Sequence, residues 1–300
     1  MLVNSARRRA VVATAAGLAL ALSLAACGEK KDNTGGSGGP TPTTAADPAL
    51  AAKVPAAVKA DGKLKIGTDD TYPPSEFSEN GKIVGFDVDL FDAVAKKLGL
   101  STEWVESKFG DIIPGIQSGK YELGVSSFTI NDERKGQSLM ISYFSAGTQW
   151  ATQKGNPKGV KLDDACGKKI AVQKDTVQVD DLTARSKKCT DAGKAAITTD
   201  QFVDQTAATT AVVTGKDDAM LADSPVCAYA VKKTNGQLEL LGEIYDSAPY
   251  GAVVAKDQTA LAEAIRDAVK SLIGDGTYRT ILANWGVEAG ALNVPPAINP

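Results

Sequence analysis

Arg134 and the segment leading into it have the makings of a carboxylate site. The stretch Ser126-Ser127-Phe128-Thr129-Ile130-Asn131-Asp132-Glu133-Arg134 supplies hydroxyls and one cation. Thr129 or Asn131 can cap a helix that begins near Asp132, leaving backbone N–H groups unbonded in its first turn. A guanidinium one turn into that helix can swing to the same spot and hold a carboxylate through two parallel bonds. The same residues also suit an ordinary N-cap with an arginine on the surface. Two further loops carry polar residues of comparable interest. Gly67-Thr68-Asp69-Asp70-Thr71-Tyr72-Pro73-Pro74 is one; Gln173-Lys174-Asp175-Thr176-Val177-Gln178 is the other, with Ala222-Asp223-Ser224 as its expected neighbour. Asp69 and Asp223 could equally cap helices or sit in solvated loops. Each loop follows a strand, where ligands settle on open α/β sheets.

Composition narrows the chemistry. The chain has no histidine, which removes Ser-His-Asp and Cys-His catalysis, most zinc sites and histidine pH switching. Carboxylates alone could still serve a catalyst or a metal, but no cofactor or metal is expected. The formal charge is −3, and removing the three arginines of residues 1–26, a segment without acids, makes it −6. An acidic protein is a poor partner for nucleic acid, whose binding is dominated by phosphate attraction.

The loops need a scaffold, and strand and helix signals alternate along the body. Strands are expected at 64–67, 83–86, 102–105 and 121–125. Between them lie helices at 87–98, where Leu90, Phe91, Val94, Ala95 and Leu98 share one face before Gly99, and at 111–118 before Gly119. A second series follows, with strands at 169–172, 195–198, 218–221 and 238–241 and helices at 177–188, 201–213 and 225–232. A strand at 252–255 and helices at 261–273 and 278–285 close the chain. This alternation predicts an α/β fold with parallel strands between helices, and two similar series predict two lobes. No exact internal repeat is present. The body, roughly 230 residues, is large enough for both.

The N-terminus sets the compartment. Arg7, Arg8 and Arg9 precede an apolar run at 11–22 and then small residues, the order of a secretory signal. The run is shorter than the roughly 20 residues that span a bilayer. Leu24-Ala25-Ala26-Cys27 resembles the lipobox of bacterial lipoproteins, in which the cysteine becomes a lipid-modified N-terminus. Residues 28–61 are rich in Gly, Ser, Thr, Pro, Asp and Lys and read as a flexible tether reaching roughly 30 Å. Of the four cysteines, Cys27 goes to lipid, and Cys166, Cys189 and Cys227 allow three single pairings. Cys166 precedes a strand and Cys189 ends the next helix, so a Cys166–Cys189 staple of one βα unit is favoured. Cys227 then reads as a small buried hydrophobe.

From Lys63 onward the chain resembles the polar-amino-acid solute-binding proteins of ABC importers, solute-binding protein family 3. The marks are Gly67-Thr68-Asp69 with Tyr72 and Pro74, Gly85-Phe86-Asp87-Val88-Asp89-Leu90, and Ile113-Pro114 with Gln117-Ser118-Gly119-Lys120. Ser126-Ser127-Phe128-Thr129 with Arg134, Tyr143-Phe144 and Asp275-Gly276-Thr277-Tyr278 complete the set. The resemblance implies a two-lobed periplasmic-binding-protein-like fold of type II, with two crossover strands and the amino acid in the cleft between lobes. It implies residues 1–26 as signal peptide, 27–61 as lipidated cysteine and linker, 62–147 and 248–300 as a discontinuous first lobe with tail, and 148–247 as the second.

By position, Arg134 would clasp the ligand α-carboxylate with Ser126, Ser127 and Thr129 beside it, and Asp223 would take the α-ammonium. Tyr72 and Phe109 would sandwich the side chain, Asp69 would meet a polar or basic tip, and Thr176, Val177 and Gln178 would offer second-lobe amides. Two departures stand out: Asp175-Thr176-Val177 replaces the usual Gly-Thr-Thr, and Ser75-Glu76-Phe77 stands where many members have Phe-Glu. The function implied is capture of a polar, possibly basic, amino acid by a monomeric lipoprotein on the outer face of the membrane, for delivery to a permease. The alternative is a cyclohexadienyl-dehydratase-like enzyme on the same scaffold, with Glu76 or Asp175 as acid/base. The absence of histidine and the intact clamp favour the binding protein.

Overall fold

The computed structural model describes residues 44–300, and Cys27 and the expected signal segment lie outside them. In chain order the strands are β1 (Lys63–Thr68), β2 (Thr71–Tyr72), β3 (Glu76–Glu79), β4 (Lys82–Val84), β5 (Ser101–Glu106), β6 (Leu123–Gly124), β7 (Leu139–Gln153), β8 (Lys169–Gln173), β9 (Thr198–Phe202), β10 (Ala219–Asp223) and β11 (Leu238–Val254). Eight of them form one sheet in the order β5-β1-β6-β11-β7-β10-β8-β9, and β2-β3-β4 form a small second sheet. β1 runs parallel to β5 and β6, and β8 runs parallel to β9 and β10. Each series therefore puts its first strand between its second and third. The two sets are joined by β7 and β11, which pair antiparallel along most of their length.

These two long strands carry the chain between the lobes. β7 is buried on both faces along most of its 15 residues, so it shows no alternation of polar and apolar positions and leaves no strand signal at the residue level. β11 absorbs the two separate strands expected at 238–241 and 252–255. Its register against β7 slips between Leu241 and Tyr245 and again before Ala248, at the point where Gly147 lets the two backbones approach. A Cβ at Gly147 would lie 2.6 Å from the Tyr245 carbonyl oxygen.

The first lobe's core gathers Leu64 and Ile66 of β1, Phe86, Leu90 and Phe91 of the helix Phe86–Lys97, and Ile265, Val269 and Leu282 from the C-terminal helices Thr259–Gly274 and Thr277–Trp285. The chain thus returns to complete its first lobe. The second lobe packs Trp150, Ile170, Val172, Leu182 and Leu221 around β8, stapled by the Cys166–Cys189 disulfide. Cys227 is a free, buried thiol.

Two expectations change. Not all of residues 28–61 is tether: Pro48–Lys53 and Ala56–Lys59 are helical, with Asp47 capping the first through Ala49 and Leu50 N–H. Leu50, Val54 and Val58 are buried in the first-lobe core, so three apolar residues at four-residue spacing override a loop-like composition. In the second lobe, the strand expected at 195–198 forms at Thr198–Phe202 and its helix begins at Gln205. A full parallel ladder with β8, from Lys169 opposite Thr198 to Gln173 opposite Phe202, holds residues that propensity alone would assign to the helix. Among the described residues no helix is long and apolar enough to cross a membrane.

Candidate ligand-binding cleft

Arg134 owes its position to a cap. Asn131 starts the short helix Asp132–Gln137, its side chain accepting from the Arg134 N–H at 2.9 Å. The guanidinium turns back over the strand ends, where Nη1 donates to the Thr129 carbonyl at 2.9 Å and Nη2 to the Asp175 carbonyl at 3.3 Å. It lies 5.3 Å from the centre of the Phe109 ring and 5.5 Å from that of Phe128, two rings stacked 4.7 Å apart. Only 9% of Arg134 is exposed. Burial lowers its pKa, and Asp223 across the cleft works against that shift.

Asp223 is the opposite pole. It ends β10 ahead of the helix Ser224–Lys233 and is buried. Its Oδ1 accepts from Gln178 Nε2 at 2.7 Å and its Oδ2 from the Tyr250 hydroxyl at 2.7 Å. Its backbone N–H donates to the Tyr72 hydroxyl at 3.2 Å, a bond between lobes. Burial raises the Asp223 pKa, and the bonds from Tyr250, Tyr72 and Gln178 and the charge of Arg134 hold it down.

Asp69 sits at the other end, directly after β1. Oδ1 accepts from Thr71 N–H at 3.0 Å and Thr71 Oγ1 at 2.6 Å, and Oδ2 accepts from Phe109 N–H at 3.1 Å and Gln173 Nε2 at 2.9 Å. Burial raises its pKa, opposed by the Thr71 and Phe109 bonds. Gln173 also donates to the Val203 carbonyl at 3.0 Å, so its amide spans the lobes.

The structure brings all the residues singled out in the sequence onto one cleft: Asp69, Tyr72, Phe109, Ser126, Ser127, Thr129 and Arg134 from the first lobe, and Thr176, Val177, Gln178 and Asp223 from the second. Gln173 lines it as well. Sequence alone gives Gln173 no role; its place at the last position of β8, beside the second-lobe loop, is the signal that could have found it. The free volume of this closed cleft is about 10 Å³, room for about one water.

Asp175, the unusual residue of the second-lobe loop, adopts φ +64°. That left-handed backbone suits the glycine that the family resemblance implies at this place, and aspartate is among the few other residues that tolerate it. Its side chain reaches the start of the helix Phe109–Gln117, where a Cβ on Gly110 would come within 2.4 Å of the Asp175 carboxylate. Of the two carboxylates named for an enzymatic alternative, Glu76 is fully buried behind the cleft wall and Asp175 lies at the rim with its side chain 51% exposed. Among the described residues no cluster of His, Cys, Asp or Glu could hold a metal ion.

Residues 64–288 match the family of bacterial extracellular solute-binding proteins, family 3. The chain belongs to that family. The arginine-binding protein ArgT of Corynebacterium glutamicum is 35% identical over 288 residues, covering 95% of this chain and 94% of the relative. The L-cystine-binding protein TcyJ of Escherichia coli is 29% identical, covering 76% of this chain and 84% of the relative. Among solved structures, an ancestral arginine-binding protein bound to arginine is 37% identical with a TM-score of 0.69, over 75% of this chain and 98% of that one. An ancestral amino-acid-binding protein described as a precursor of cyclohexadienyl dehydratase has the same TM-score at 30% identity, over 76% of this chain and 97% of that one. This solute-binding protein therefore has the two-lobed fold of its neighbours, with the cleft between the lobes, and its named relatives are binding proteins, not enzymes.

Proposed function

We propose that this solute-binding protein captures a basic L-α-amino acid, arginine foremost, and hands it to the permease of an ABC importer. The observation that carries the reading is the buried pair Arg134 and Asp223, one from each lobe, with Asp69 at the far end of the cleft. A zwitterion needs a cation and an anion that are both desolvated and both paired, and lobes contributing one each couple binding to closure. Among the described residues Asp69 has no cationic partner and is held by four neutral donors. A guanidinium or ammonium tip entering between Asp69 and Gln173 would replace the Gln173 bond with a charge-assisted one. Tyr72 and Phe109 supply the faces for the aliphatic stem.

The interlobe bonds of Gln173, Arg134 and Tyr72 close the cleft, and a ligand enters when they open. The lobes divide at residues 147/148 and 247/248, midway along the crossover strands. Cys27 carries the lipid that keeps the protein, as a monomer, at the outer face of the membrane beside its permease. The test is a melting-temperature screen of the mature protein with each amino acid. Arginine and lysine should give the largest rises, and no shift with any amino acid would refute the reading.

A further inference from the structure

Behind the cleft wall lie two carboxyls that the ligand never touches. Glu76 of β3 and Asp87, in the first turn of the helix Phe86–Lys97, are both 0% exposed; the Asp87 N–H donates to the carbonyl of Ser75, the residue before Glu76, at 3.0 Å, and each carboxyl lies in the other's surroundings. Neither belongs to an ion pair among the described residues. The groups facing them are Asp69 after β1, Tyr143 of β7 and Tyr278 of the C-terminal helix Thr277–Trp285, none a cation. Arg134, the buried cation of the cleft, spends its bonds on the Thr129 and Asp175 carbonyls. Two adjacent carboxyls in a dry interior without a cation cannot both ionise.

The hydrogen bonds bear on where a shared proton would sit. Asp87 Oδ2 accepts from the Tyr143 hydroxyl at 2.6 Å, while Asp87 Oδ1 is buried with no N–H or O–H donor in bonding geometry. An O–H on Glu76 would complete it, with the Ser127 N–H and hydroxyl also beside the Asp87 carboxyl. The other side of Glu76 faces the cleft loop: Oε1 accepts from the Ser126 hydroxyl at 3.0 Å and Oε2 lies 3.5 Å from the Ser127 hydroxyl. Ser126 Oγ in turn accepts the Asp69 N–H at 3.1 Å. Its one proton is thus committed to Glu76, and it orients the Asp69 loop instead of donating to a ligand. Ser127 is held at φ +51°, a backbone rare outside glycine, asparagine and aspartate.

We propose that Glu76 and Asp87 are positioning residues of the ligand site: the pair shares one proton, and through Ser126 and Ser127 it holds the Asp69 loop and the approach to Arg134 in binding geometry. This rests on the reading of the cleft as the amino-acid site. Burial raises both carboxyls, Asp87 to about 7 and Glu76 well above its ordinary range. A carboxyl whose pKa is higher folded than unfolded stabilises the fold fully at low pH, and that contribution is lost as pH rises from about 4 through 7.

The experiment compares the parent with Glu76→Ala and Glu76→Gln. Glutamine keeps a carbonyl for Ser126 and a permanent N–H for Asp87, so it should rescue most of the arginine affinity that alanine loses, a loss of at least about tenfold. It should also flatten the fall of melting temperature between about pH 5 and pH 8. Infrared difference spectra at neutral pH should show a protonated carboxylic acid band in the parent that is weaker in Glu76→Gln. No such band in the parent, an unchanged pH slope in Glu76→Gln, or no rescue would each overturn the proposal. If alanine fails to fold, the spectra and slope of the parent and Glu76→Gln decide. A parent that binds no amino acid but keeps the band and slope would refute the cleft assignment and leave the shared proton standing.

Discussion

Replacing Arg134 by alanine is the sharpest perturbation of the cleft. The side chain is 9% exposed, makes bonds to the Thr129 and Asp175 carbonyls and lies over two stacked rings. In the ligand-free protein the loss is those contacts, one of them between lobes, together with the charge that favours the buried Asp223 carboxylate, so stability should fall by about 1–3 kcal/mol. In the complex the ligand α-carboxylate would lose its buried cation, which costs about 2–5 kcal/mol. At about 1.4 kcal/mol per tenfold, this means roughly a thirty- to several-thousand-fold loss of affinity. Every α-amino acid carries that carboxylate, so the loss should not depend on the ligand side chain. Arg134→Lys should lie between, keeping the charge but losing the planar fork that binds two oxygens at once. Titration calorimetry of parent, alanine and lysine variants with arginine and with a second amino acid that binds the parent measures this. Melting of the unliganded variants separates folding from binding. An alanine variant that binds within about threefold of the parent, a difference of well under 1.4 kcal/mol, would place the carboxylate elsewhere and undo the zwitterion argument.

Asp69→Asn should cost basic ligands the most, but not them alone. An amide nitrogen in place of one carboxylate oxygen would face donors from Thr71 or from Phe109 and Gln173, so a modest loss of stability of about 1–3 kcal/mol is expected by melting. Removing the Cys166–Cys189 bridge, whose cysteines are 23 residues apart, should cost about 3 kcal/mol and lower the melting temperature by about 6–12 °C. Mass spectrometry of the unreduced protein should show Cys227 as the free thiol. Its burial pushes the thiol pKa up, so thiol reagents should modify it only on unfolding. A chain begun at Thr44 and a chain begun at Asp61 differ in the core, because the second truncation removes Leu50, Val54 and Val58 from it. At roughly 1.5 kcal/mol for each buried side chain, the second truncation should melt several degrees lower.

Much of this protein can be read along the chain. The α/β alternation follows from local periodicity, since the apolar face of the helix Phe86–Lys97 and the short strands beside it are set by side-chain spacing alone. The three loops announce themselves because capping residues, a guanidinium and carboxylates recur at strand ends. The cysteine pairing follows from which residues flank one βα unit. What the chain could not show is what depends on residues far apart in sequence. β7 has no periodic signature because it is buried on both faces, and its strand character comes from pairing with β11 about a hundred positions later. The helices before Lys63 form because a core made by distant residues accepts three apolar side chains. Gln173 and Asp69 meet across the cleft at 2.9 Å, and Glu76 and Asp87 meet behind it. Neither contact leaves a mark in local spacing. Solvation decides their chemistry: an aspartate or glutamate in sequence is simply an acid, and only tertiary burial without a cation turns two of them into a pair that keeps a proton.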